Sequence, residues 1–65
     1  MVDMKVWVVS HTHSGAGKAE AVFATEGDAI AYVEAFRETY NLERPATHFW
    51  ETGMRWFMVE EFEVQ

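Results

Sequence analysis

Four stretches of the chain carry the alternating or near-continuous apolar character of β-strands, and a fifth carries the three-to-four-residue recurrence of a helix. Residues 4–12, Met4-Lys5-Val6-Trp7-Val8-Val9-Ser10-His11-Thr12, are rich in β-branched and aromatic side chains and predict a strand. Alternation sends Met4, Val6 and Val8 to one side and Lys5, Trp7, Val9 and His11 to the other. Both sides are partly apolar, which suits a central position. Ser14-Gly15-Ala16-Gly17 then reads as a turn. Residues 18–24, Lys18-Ala19-Glu20-Ala21-Val22-Phe23-Ala24, read as the returning strand of an antiparallel hairpin.

Thr25-Glu26-Gly27-Asp28 has the form of a helix start. The Thr25 hydroxyl can accept from the amide three residues on, and the acidic pair suits the positive end of the helix dipole. Ala29, Val33, Phe36 and Tyr40, flanked by Ile30 and Tyr32, form an apolar stripe, with Glu34 and Glu38 expected opposite. Asn41 is placed to cap the C-terminus and Pro45 to prevent a restart, giving one helix over 26–41. Residues 46–51 and 54–64 predict the last two strands.

The turn between them sets the register. A Thr52-Gly53 type I′ turn would force positive φ on a β-branched residue, so a three-residue loop with Gly53 in a G1 bulge is expected. Trp50 then faces Met54 and His48 faces Trp56. Trp7, Val9, Val22, His48, Trp50, Trp56, Met58 and Phe62 would share one face. Val6, Val8, Ala21, Phe23, Phe49, Phe57 and Val59 would lie under the helix. The expected fold is α+β: one ββαββ domain with a four-stranded, mainly antiparallel sheet and one helix on one face.

Composition narrows the function classes. The 65 residues are 49% hydrophobic and 15% aromatic, too apolar for disorder. Five Lys and Arg against eleven Asp and Glu give a net charge of −6, which argues against nucleic-acid binding and against an anionic membrane surface. Cysteine is absent, which excludes disulfides and thiol chemistry. No apolar run approaches the ~20 residues of a membrane span, nor is there a signal-peptide pattern, so a cytoplasmic domain is expected.

The chemistry-bearing motifs are sparse. His11 and His13 alternate along a strand and, with His48, could supply three imidazoles to a metal ion in a metal-binding or small hydrolytic protein. Two exposed histidines beside a hairpin account for the same pattern. Gly15-Ala16-Gly17-Lys18 resembles the end of a phosphate-binding loop, but Thr12 stands where the first glycine belongs and Ala19 where Ser or Thr belongs. Ser10 and Ser14 sit in no nucleophile elbow. Glu60, Glu61 and Glu63 form an acidic run suited to guarding a strand edge or engaging a basic partner.

The aromatic residues point furthest. One helix shields one face, so Trp7, Trp50, Trp56, Met58 and Phe62 are expected at an interface with a second copy or another protein. The expected function is a small, acidic, non-enzymatic protein-binding module, homodimeric and without cofactor. A regulator or inhibitor of a basic partner, of the kind that phage and mobile elements encode, fits these features. A Trp-lined ligand pocket at a dimer seam is a weaker alternative.

Overall fold

The computed structural model describes residues 4–13 and 15–64. Ser14, expected in the turn, and the start at Met1–Asp3 lie outside them. The elements are β1 (Met4–His13), β2 (Ala16–Phe23), α1 (Glu26–Arg37), β3 (Glu43–Ala46), β4 (Phe49–Thr52) and β5 (Arg55–Val64). The class is α+β, as expected, with one helix and an antiparallel sheet of five strands rather than four. The sheet order is β2-β1-β5-β4-β3, so β5 is the central strand and β1 is an interior one, flanked by β2 and β5.

The helix starts where its capping residue predicts. The Thr25 hydroxyl accepts the Asp28 amide at 3.2 Å. Regular helix ends at Arg37, but the chain keeps turning to Asn41, which takes φ +57°. The Leu42 amide donates to the Arg37 carbonyl at 2.8 Å and the Asn41 amide to the Glu38 carbonyl at 3.2 Å. These two bonds form a Schellman closure, with Leu42 folded into the core.

Pro45 does not end regular structure. It lies within the short edge strand β3, the place in a sheet where a missing N–H is tolerated. The single strand expected over 46–51 is therefore broken by a turn at Thr47 and His48, and β3 and β4 lie on either side of it.

The β4–β5 turn corrects the expected register. Thr52 pairs with Arg55 and Trp50 with Phe57, leaving Gly53 and Met54 as the turn. Gly53 has φ +51° and Met54 has no positive φ, the pattern of a type II′ hairpin with glycine at its first central position. Relative to the expected Trp50–Met54 pairing, the strand slips by an odd number of residues, which exchanges the faces of β4. Trp50 goes under the helix and Phe49 goes to the open side.

The faces of β1 are exchanged as well: Trp7 and Val9 lie under the helix, with Val6 and Val8 opposite. Those of β2 and β5 are as expected, with Ala21, Phe23, Phe57 and Val59 inside and Val22, Trp56, Met58 and Phe62 outside. The core gathers Val9, Ala29, Val33, Leu42, Trp50, Phe57 and Val59, bordered by Trp7, Phe23, Tyr32, Phe36 and Tyr40.

Two irregularities shape the sheet. A bulge in β2 lets Val9 pair with Ala21 but Ser10 with Ala19, leaving Glu20 as the extra residue. The outer parts of β1 and β5 also outrun their neighbours. β2 ends opposite Trp7 and β4 begins opposite Met58, whereas β1 and β5 stay paired out to Met4 and Val64. The result is a two-stranded arm, and the molecule measures 43 × 22 × 17 Å.

Candidate functional site: an open apolar face and a histidine cluster

Antiparallel partners point to the same side of a sheet, so the register defines the face away from the helix. It carries Val6 and Val8 from β1, Phe49 from β4, Val22 from β2, and Trp56, Met58 and Phe62 from β5. Val22 is 61% exposed, Phe62 48% and, at the arm tip, Met4 56%. Phe49 and Trp56 meet diagonally with ring centroids 5.8 Å apart. Among the described residues, Thr12 alone on this face is buried, between its strand partners Gly17 and Trp56. Its hydroxyl has no hydrogen-bond partner among the described residues.

Of the interface residues expected from sequence, Trp56, Met58 and Phe62 are on this face. Trp7 and Trp50 are on the other, because the faces of β1 and β4 are exchanged. Trp50 is fully buried there, and its indole N–H donates to the Glu34 carboxylate at 2.7 Å. Arg44 stacks on its ring, 4.8 Å from the centroid. Glu34 was expected on the solvent side of the helix; it instead borders the apolar stripe and anchors this tryptophan. That hydrogen bond, with the Arg37 and Arg44 charges nearby, holds the Glu34 carboxyl below the usual carboxylate range.

The acidic run splits by alternation: Glu60 lies on the open side, Glu61 and Glu63 on the helix side of the arm. Glu61 pairs with Lys5 at 3.0 Å and raises the Lys5 ammonium above its ordinary value. Glu43 and Glu51, directly paired across β3 and β4, extend the carboxylates of the open side.

The three histidines do not converge. His48, in the β3–β4 turn, contacts Glu26 at the helix start at 2.7 Å. His11 and His13 lie on the helix side at the opposite end of the sheet, and among the described residues no three metal-capable side chains form a group. His11 enters a different cluster. Its Nδ1 is 3.1 Å from Glu20, its Nε2 is 3.1 Å from the Arg55 guanidinium, and its ring stacks on Phe57 at 4.2 Å.

Arginine has no acceptor, so Nε2 takes the Arg55 hydrogen bond through its lone pair, and the ring proton sits on Nδ1 and goes to Glu20. Glu20 reaches His11 because the bulge turns it to this side, where its second oxygen accepts the Tyr32 hydroxyl at 2.8 Å. That bond raises the Tyr32 phenol above its ordinary value. Arg55 lies over the Tyr40 ring at 4.0 Å. Beside this cluster is a cavity of about 350 Å³ lined by His11, His13, Gly17 and Lys18. Glu20, Tyr32, Tyr40 and Arg55 are not picked out by the sequence as site residues. Their grouping depends on a bulge and on β1–β5 pairing, neither of which has a local signal.

No helix is long and apolar enough to cross a membrane among the described residues. Comparison with protein-family models, with curated proteins and with solved structures returns no match, so the functional argument rests on these two sites.

Proposed function

We propose that this chain is a non-enzymatic protein-binding module that pairs with a second copy of itself through the open sheet face. The carrying observation is the uncovered apolar surface formed by Val6, Val8, Val22, Phe49, Trp56, Met58 and Phe62. Surfaces of this kind mark interfaces when they exceed a few hundred Å². A molecule extending 43 by 22 Å along its two longer axes can present the ~800 Å² per partner of a standard interface on one side.

The core adds a second argument. Seven apolar side chains are buried among the described residues, and one of them is only an alanine. A core of this size supplies only ~3–5 kcal/mol, and stacking a second sheet would enlarge it. Edge pairing is the poorer route. β3 is four residues long and contains Pro45, and β2 is kinked by its bulge, both of which blunt an edge.

Charge shapes how the copies associate. Glu43, Glu51 and Glu60 share the open side, and the register places no Lys or Arg there. Two copies, each with net charge −6, repel at long range, so self-association should strengthen as salt rises. The same acidic fringe supports a second reading, a regulator or inhibitor that covers an apolar patch rimmed by Lys and Arg on another protein. That association would weaken with salt.

Analytical ultracentrifugation at micromolar concentration and two salt strengths tests the dimer. The expected result is a dimer favoured by salt, with Trp56→Ala weakening association by at least ~10-fold while the monomer stays folded. A monomer persisting at ~100 μM would overturn self-pairing.

A further inference from the structure

The cavity on the helix side is chemically unlike the rest of this acidic molecule. His11 pairs with Lys18 across β1–β2, and His13 pairs with Arg55 across β1–β5. Antiparallel partners share a face, so four nitrogen-bearing side chains occupy contiguous positions at one end of one side. Two of the five Lys and Arg residues and two of the three histidines are concentrated there.

The opposing charge nearby is already engaged. Both oxygens of Glu20 are bonded, one facing His11 Nδ1 and the other accepting the Tyr32 hydroxyl. Arg55 lies over the Tyr40 ring and spends one terminal nitrogen on His11, which leaves further N–H donors of its planar fork without a partner among the described residues. Lys18 and His13 are exposed at the cavity wall. The volume of about 350 Å³ is that of a small-ligand site.

We propose that the cavity lined by His11, His13, Gly17 and Lys18, with Arg55 beside it, binds the phosphate group of a small phosphorylated molecule. A dianion supplies acceptors to the Lys18 ammonium, the His13 imidazole and the remaining Arg55 guanidinium donors together, with the His11 ring as part of the wall, and a planar Arg fork favours phosphate oxygens. The site stands on the helix side, so it is independent of the proposed dimer and can fail separately from it.

Histidine side-chain NMR, titrated with inorganic phosphate near neutral pH at constant ionic strength, tests the proposal. Saturable shifts of the His11 and His13 resonances are expected, with half-saturation at ~1 mM. Lys18→Gln and His13→Gln change exposed side chains and should keep the fold, yet each should weaken binding by at least ~5-fold. Arg37→Gln, which removes a cation that pairs with Glu34 instead, should leave binding unchanged. Absence of saturation, identical shifts with chloride at matched ionic strength, or unweakened binding by both cavity variants would overturn the site. So would tighter binding of a single-stranded oligonucleotide through the same residues, which would assign the cations to a nucleic-acid backbone.

Discussion

The two faces of the sheet draw on the same alternating strands, yet Trp50 and Trp56 have unlike surroundings. Trp50 is fully buried in the core that also holds Val33, Leu42 and its strand partner Phe57, its N–H is satisfied by Glu34, and Arg44 covers its ring. Trp56 lies on the outer side of the sheet with Phe49 as its aromatic neighbour. Residue type does not distinguish them. The placement of one short helix does, and the strand register decides which tryptophan it covers.

The largest effect that this comparison predicts is that of Trp50→Ala. Loss of a fully buried tryptophan costs ~3–5 kcal/mol, as much as a core of this size provides. The variant should lose its near-UV circular dichroism signal, whereas Trp56→Ala should keep it and lose association. If both variants unfold, or neither does, the assignment of the two faces is wrong.

A smaller effect is expected at the single buried point of the open face. A Cβ on Gly17 would lie 2.5 Å from the Thr12 hydroxyl oxygen. Gly17→Ala should therefore destabilise by ~1–3 kcal/mol in urea titrations. Thr12→Ala in the same chain should restore most of the loss, because it removes the atom in the way. A double variant as unstable as Gly17→Ala alone would contradict this contact.

The smallest is pH-dependent. The Glu34 carboxyl is held low by the Trp50 N–H, so its contribution is present above the ordinary carboxylate range and is lost as pH falls through the lowered folded value. At pH 7 Glu34→Gln should cost about 1 kcal/mol. The difference from the parent should shrink below pH ~4, where the unfolded carboxyl is also protonated. A difference independent of pH would mean that packing, not charge, gives Glu34 its role.

Legibility from sequence followed the range of the determining interaction. The Thr25 cap, the Asn41 closure and the apolar stripe of the helix are local, and each is where the residues place it. The strand containing Pro45 was hidden, because proline reads as a stop unless the strand is already known to be at an edge. The Gly53-Met54 turn was obscured by Thr52-Gly53, which offers the same glycine one position later in the turn. The open apolar face could be anticipated, since β1 and β5 are apolar on both sides, but its membership could not. The Glu20–His11–Arg55 cluster joins residues from both ends of the chain and the middle of a bulged strand, so no local pattern announces it.

The central β1–β5 pair also has a kinetic consequence. It matches Met4 with Val64 and His13 with Arg55, so the middle of the sheet closes between segments some 40 to 60 residues apart. The β1–β2 and β4–β5 hairpins need only short-range closure and can form early, in microseconds. Their docking must wait for the long closure, which makes assembly slow for a chain of this length. During synthesis β1 emerges before its sheet partner β5, so one edge of this interior strand stays unpaired until β5 has left the ribosome.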